Sequence, residues 1–152
     1  MMRISSRRAS ALTFGAFIVT LSLSREAPRA QDLGSSVSLR PGQEVTFSVA
    51  VADGRVTPGQ ARPSRPGAAK PRDGEITVSV VKQDRSPYAE ITVSEKTSAP
   101  IDFVATGLVG AIKIDEIRVC GRLDGPLSAH IYSGSWRISL NRFSVGPEQA
   151  CR

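Results

Sequence analysis

EVTFSVAV, at residues 44–51, gives the clearest evidence for a β-strand fold, because every second side chain in this stretch is apolar. An alternation with a period of two is typical of a β-strand that buries one face and exposes the other. The face predicted to lie in the core consists of Val45, Phe47, Val49 and Val51.

The same alternation recurs along the chain at residues 76–80, 91–93 and 101–103. Residue pairs that favour turns separate the runs, as at Pro41-Gly42, Asp53-Gly54 and Ser86-Pro87. The chain after residue 30 is therefore predicted to be a series of short strands joined by turns.

Residues 111–120 change the phase of the alternation, since the apolar residues on the two sides of Asp115-Glu116 have opposite parity. A β-bulge at Asp115 would place all four apolar side chains on one face: Ile112, Ile114, Ile117 and Val119. A helix is the alternative for this stretch. The nearby glycines and the β-branched residues favour a strand.

Residues 127–143 predict a β-hairpin, because apolar residues alternate on both sides of Ser133-Gly134. A two-residue turn there would place Ile131 opposite Trp136, and the parity of Trp136 assigns its side chain to the core. In all, about seven or eight short strands and no convincing helix predict an all-β fold. The expected architecture is a small antiparallel β-sandwich, immunoglobulin-like or related.

Residues 1–30 have the pattern of a cleaved secretory signal peptide, with a cationic start, an apolar run at residues 9–23 and a polar end at Ala30. The apolar run is shorter than the roughly 20 residues that a membrane-spanning helix needs. Cleavage after Ala30 would leave residues 31–152 as one domain with no transmembrane segment, periplasmic or secreted. Arg7-Arg8 leaves the twin-arginine route open beside the ordinary secretory route.

The formal net charge of +6 comes mainly from this N-terminal segment. Of 20 basic and 14 acidic residues, residues 1–30 hold five arginines and one glutamate, which leaves 15 basic and 13 acidic residues in the remainder. A nearly neutral domain gives no reason to expect a nucleic-acid partner. Its two cysteines, Cys120 and Cys151, are predicted to form a disulfide, because exported chains reach an oxidising compartment.

Residues 55–72 interrupt the strand pattern with four prolines and are predicted to form a flexible Pro/Arg-rich loop. The loop holds five basic residues with no acidic residue between them: Arg55, Arg62, Arg65, Lys70 and Arg72. These side chains could bind an anionic envelope component or an envelope protein, and no aromatic residue accompanies them to stack on nucleic-acid bases. The alternative is a soluble insertion that could be deleted without loss of the fold.

Candidate catalytic residues are few in this sequence. The only histidine, His130, lies on a predicted strand with Ser128 and Tyr132 on the same face, and a hydrolase would need a nucleophile and an acid beside it. Asp115-Glu116 is the only adjacent carboxylate pair, and neighbours in a strand point to opposite faces. The spacing of the metal-ligating residue types predicts no metal site, and no cofactor is expected.

These observations favour a non-catalytic binding or structural module of the periplasm or envelope, whose partner the sequence does not identify. With Phe47, Phe103 and Trp136 assigned to the core, too few aromatic residues remain for a carbohydrate-binding platform. The alternative function is that of a small hydrolase or other enzyme with its site near His130.

Overall fold

A computed structural model describes residues 36–146, so that the predicted signal peptide and Cys151 lie outside the described residues. The described part of the chain consists of ten β-strands joined by turns: β1 (Val37–Leu39), β2 (Glu44–Ala52), β3 (Arg55–Pro58), β4 (Arg62–Ser64), β5 (Glu75–Lys82), β6 (Tyr88–Lys96), β7 (Ile101–Val109), β8 (Ile112–Val119), β9 (Leu127–Tyr132) and β10 (Arg137–Val145). No helix in this part is long and apolar enough to cross a membrane.

The strands form two antiparallel sheets, which confirms the predicted all-β class and is consistent with a β-sandwich. Sheet 1 has the strand order β1-β10-β7-β8. Sheet 2 has the order β3-β2-β5-β6-β9, and β4 also pairs with β2. The strand that carries the alternating stretch, β2, therefore lies inside sheet 2, between β5 and the two short strands β3 and β4.

The core lies mainly where the alternation predicted it. Val45 and Phe47 are buried, whereas Val51 is exposed at the end of β2. Phe143 of β10 contacts rings of both sheets, with centroid distances of 5.8 Å to Phe47 and 5.6 Å to Phe103. Because a buried phenylalanine contributes about 1.5–3 kcal/mol by burial alone, this cluster is a substantial link between the sheets.

The hairpin predicted at residues 127–143 is wrong. β9 pairs with β6 in sheet 2, whereas β10 pairs with β1 and β7 in sheet 1, so the residues between them pass from one sheet to the other. Trp136, predicted to be in the core, is 70% exposed at this crossing. Alternation specifies which face a strand buries, but it does not specify which strand is its partner.

The β-bulge predicted near Asp115 is confirmed. The register of β7 and β8 shifts between Gly107, which pairs with Asp115, and Leu108, which pairs with Lys113. The predicted common face is buried only in the second half of β8. The first half, at the edge of sheet 1, leaves Ile112 and Ile114 exposed.

The prediction that residues 55–72 form a loop without strands is also wrong, because they contain β3 and β4. Pro58 pairs with Val49 and Pro63 pairs with Val45, both on the outer side of β2. An edge strand is paired on one side only, so a proline whose missing N–H would point outward costs no ladder hydrogen bond. Pro58 is in addition buried.

Candidate functional site

Residues 62–72, called the flap below, cover part of the outer face of sheet 2. Side chains on that face would ordinarily be exposed in a two-layer fold. Thr46 of β2 and Thr77 of β5 are nevertheless buried, and their hydroxyls share a hydrogen bond of 2.8 Å. The basic residues of the flap are thus held against a sheet.

Glu44 is the first anchor of the flap. Its buried carboxylate accepts hydrogen bonds from the Ser64 hydroxyl and from the Gly67 and Ala69 backbone N–H groups, each at 2.8 Å. Burial raises the pKa of Glu44, but these hydrogen bonds outweigh burial and keep the pKa below its ordinary value. One ionised side chain therefore organises the middle of the flap.

Glu75 is the second anchor, at the start of β5. It accepts a hydrogen bond of 2.6 Å from the Arg62 guanidinium and one of 3.0 Å from the Arg72 backbone N–H. The hydrogen bond from Arg62 lowers the pKa of Glu75 most. Both ends of the flap are consequently tied to the same carboxylate.

An open cleft of about 580 Å³ lies between the flap and the sheet. It is lined by polar, charged and small apolar side chains: Thr46, Arg62, Pro63, Ser64, Ala69, Lys70, Arg72 and Glu75. Arg62 is occupied by Glu75. The Lys70 and Arg72 side chains are exposed, and within residues 36–146 neither makes a direct hydrogen bond or ion pair, although the charge of Arg72 contributes to the lowered pKa of Glu75.

The structure therefore brings together three of the five basic residues that the sequence predicted to bind an anion. Arg62, Lys70 and Arg72 line the cleft, whereas Arg55 and Arg65 do not. Arg55 begins β3. Of the three cleft residues, Lys70 and Arg72 keep their cationic groups available to a ligand.

His130 lies on the exposed outer face of sheet 2, opposite Glu90 of β6 and not opposite Arg137 as the hairpin implied. The Ser128 hydroxyl hydrogen-bonds Glu90 and is the main cause of its lowered pKa, with smaller effects from Gln83 and His130. A nucleophilic serine must give its proton to the base, but this hydroxyl is bonded to the carboxylate. The arrangement does not favour the predicted hydrolase alternative.

Asp115 and Glu116 have separate structural contacts. Asp115 accepts a hydrogen bond of 2.7 Å from the Tyr132 backbone N–H, on the edge strand β9. Glu116 binds the Arg142 guanidinium at 2.6 Å, which lowers its pKa. The two carboxylates thus serve different elements and do not form a paired acid and base.

Two further features of the described residues concern carboxylates. A second cleft, of about 360 Å³, is lined by Asp102, Phe103, Val104, Arg118, Arg142, Phe143 and Ser144. In this cleft the buried Asp102 accepts a hydrogen bond of 3.0 Å from Gly121 N–H and lies 3.4 Å from the Arg118 guanidinium.

Across residues 36–146 no three His, Cys, Asp or Glu side chains are grouped so that they could hold a metal ion.

Sequence reasoning missed an aromatic pair on the outer face of sheet 2. Tyr88 and Tyr132 are directly opposite each other in the β6–β9 register. The sequence did predict that Tyr132 and His130 lie on the same face of a strand. It did not predict that Tyr132 pairs with Tyr88, because β9 was assigned to a hairpin with β10.

No protein-family model matches this chain, and comparisons with curated proteins and with solved structures found no match.

Proposed function

We propose that this chain is an exported, non-catalytic binding module, periplasmic or secreted after removal of residues 1–30. Its two antiparallel sheets would be a β-sandwich of immunoglobulin-like or related type that acts as a rigid support. Its partner is an anionic component of the envelope, which binds in the cleft under the flap. The observation that carries this proposal is the pair of exposed cations, Lys70 and Arg72, that line the cleft beside the Arg62–Glu75 ion pair.

The anchoring of the flap supports a binding role. An unanchored loop would lose conformational entropy when it ordered on a ligand, and this loss would weaken binding. Here Glu44 and Glu75 already hold the backbone on both sides of Lys70. Lys70 and Arg72 can therefore meet an anion with little further ordering of the main chain.

The test compares two double variants of equal charge change. Lys70→Gln/Arg72→Gln removes the available cations of the cleft, and Arg55→Gln/Arg65→Gln removes two cations outside it. Exposed charges contribute about 0.2–1 kcal/mol each, so the cleft variant should bind about tenfold more weakly. Binding is measured by sedimentation with phosphatidylglycerol vesicles and with polygalacturonate at 0.01 M and 0.15 M salt.

The parent and the Arg55→Gln/Arg65→Gln variant should behave alike and lose affinity as salt rises, because the screening length falls from about 30 Å to about 8 Å over this range. An equal effect of the two double variants on both probes would show that general positive charge and not the cleft is responsible, and would overturn the proposal. If the parent protein bound neither probe, the proposal would also be overturned.

A further inference from the structure

The outer face of sheet 2 continues beyond the flap to the edge strand β9, and an aromatic pair lies at its far end. Tyr88 and Tyr132 are 48% and 46% exposed. Directly opposed residues of an antiparallel pair have Cβ atoms about 4.5–5.5 Å apart and lie on the same face. The two exposed tyrosines are therefore neighbours on one face of the sheet, and this pair is called the aromatic surface below.

The Tyr132 ring is supported from the turn that follows β9. A Cβ placed on Gly134 would lie 2.5 Å from the Cε1 atom of Tyr132, so only the absence of a side chain there lets the ring pack against the backbone. The Ser133 N–H also donates to the Pro87 carbonyl at 2.8 Å, which ties this turn to the residue before Tyr88. The aromatic surface is thus held at both strands.

Between the flap and the tyrosines the face is lined with hydrogen-bonding side chains. Thr92 is opposite Ser128, and Glu90 is opposite His130. Ser94 lies further along β6, opposite the buried Thr77 beneath the flap. These groups include donors and acceptors, and the exposed Val81 of β5 lies beside them, opposite Glu90.

The length of this face exceeds what a single headgroup would cover. From Ser94 to Tyr88 is six residues of extended strand at about 3.3 Å each, or about 20 Å. An anion in the cleft and a group stacked on the tyrosines would therefore be separate parts of one extended ligand.

We propose that the anionic partner is an acidic polysaccharide that lies along the outer face of sheet 2, an inference that rests on the function proposed above. Its carboxylate or other acidic group binds Lys70 and Arg72 in the cleft. The hydroxyls of the intervening sugars bond to the Ser, Thr, Glu and His side chains, and the C–H face of a further sugar stacks on Tyr132. Aromatic faces carry partial negative charge and attract such C–H groups.

The composition of the face distinguishes this ligand from a lipid surface. A membrane would be met by apolar side chains that insert among acyl chains, but the stretch between the cleft and the tyrosines is mainly polar, with Val81 of β5 as an exposed apolar side chain within it. Sugar hydroxyls, in contrast, can donate hydrogen bonds to carboxylates and can both donate to and accept from hydroxyl side chains.

The experiment measures affinity for polygalacturonate and for phosphatidylglycerol vesicles. The neutral methyl ester of polygalacturonate is the control, and it should bind about tenfold more weakly because it lacks the carboxylates that Lys70 and Arg72 would bind. Tyr132→Ala and Tyr88→Ala should each weaken polygalacturonate binding about fivefold to tenfold, since an aromatic contact contributes about 0.5–1.5 kcal/mol. Tyr132→Phe keeps the ring and should bind like the parent. Trp136→Ala removes a more exposed aromatic residue at the crossing between the sheets and should also bind like the parent.

Three outcomes would overturn the inference. Unchanged polygalacturonate binding by both tyrosine variants, together with loss in Lys70→Gln/Arg72→Gln, would leave the anion site but remove the sugar site. Tighter binding to vesicles than to polygalacturonate would assign the partner to lipid. An equal loss in Trp136→Ala would move the aromatic site off this face. Thermal melting of every variant separates lost binding from lost folding. If Tyr132→Ala does not fold, Tyr88→Ala still tests the aromatic contact.

Discussion

Glu95, near the end of β6, is a carboxyl group on the inner side of sheet 2, where it pairs with the buried Ile76. Its Oε2 accepts a hydrogen bond of 3.1 Å from the Ile101 N–H, and its buried Oε1 has no hydrogen-bond partner among residues 36–146. Burial raises the pKa of Glu95 to about 7, the Ile101 bond opposes this, and the charge of Asp102 adds to it. Ionisation of this residue is therefore unfavourable in the folded state.

The raised pKa of Glu95 makes part of the folding stability dependent on pH. Between its ordinary pKa of 4.5 and about 7, the folded protein holds a proton that the unfolded chain releases. The contribution of Glu95 is therefore full below about pH 4.5, falls as pH rises to about 7, and is absent above. After allowance for partial exposure, we expect a loss of about 1–2 kcal/mol.

Glu95→Gln should remove this loss, since the amide does not titrate. Urea unfolding at pH 5 and pH 8 measures the free energy of unfolding of the parent and of the variant. The stability of the variant relative to the parent should be greater at pH 8 than at pH 5. Glu90→Gln, on the same strand but with a lowered pKa, serves as the control. If the parent and Glu95→Gln had the same change in unfolding free energy between the two pH values, the buried-acid interpretation would be wrong.

Among the elements, the flap is a segment with few apolar side chains that is nevertheless anchored to a sheet. Its prolines and small residues give it little apolar surface of its own, yet Pro58 before it is buried and Ala61 packs against the core. Its stability comes instead from carboxylates on the sheet below. The Arg72 bond to Glu75 spans three residues, but the other partners are 13 to 25 residues apart in sequence, and only the folded sheet brings those together.

Deletion of residues 58–71, with the ends joined by a short turn, should therefore destabilise the protein, contrary to the expectation from sequence. Glu44 would lose three hydrogen bonds while the sheet around it remained, and a buried acceptor left unsatisfied costs about 1–3 kcal/mol. Thermal denaturation should show a clear fall in Tm. Arg65→Gln, an exposed flap position outside the cleft, is the control and should change stability by less than about 0.5 kcal/mol. A deletion variant as stable as the parent would contradict the anchoring role.

In the edge strands, one feature could be predicted from nearby residues and another depends on residues far apart in the sequence. Asp115 was predicted from parity alone to mark a bulge, and the register shift confirms it. Its contact with the Tyr132 N–H satisfies a donor of an edge strand and reduces the chance of pairing with another chain. That contact joins the two sheets, so it depended on the crossing between β9 and β10, which the local alternation misassigned.

At the scale of the whole molecule, the predicted disulfide would join the residue after β8 to the C-terminal segment. Cys151 lies outside the described residues, so the Cys120–Cys151 bond stays a prediction. It would close a loop of about 31 residues and stabilise the fold by about 3–4 kcal/mol in the loop-entropy model. Thiol labelling of the unfolded, unreduced protein should find no reactive cysteine, whereas labelling of both residues would contradict the pairing.

Both proposed binding contacts, the cleft and the tyrosine pair, lie on the same face of the molecule. The cleft and the tyrosine pair belong to the outer face of sheet 2, and the exposed Trp136 lies at the passage to sheet 1. Sheet 1 instead has the Glu116–Arg142 ion pair and the cleft around Asp102. A ligand that needs cations, hydroxyls and aromatic rings together would find them on the outer face of sheet 2.

The order of the amino acids is enough to predict the all-β class, the alternating core of β2 and β5, and the position of the bulge, because each depends on neighbours one or two residues apart. The folded structure was needed to show that β9 joins β6, that residues 55–72 contain two edge strands, and that Arg62, Lys70 and Arg72 share a cleft. Those outcomes depend on strand pairing and on carboxylates distant in sequence. A period of two in side-chain polarity carries no information about which strand or which ion lies alongside.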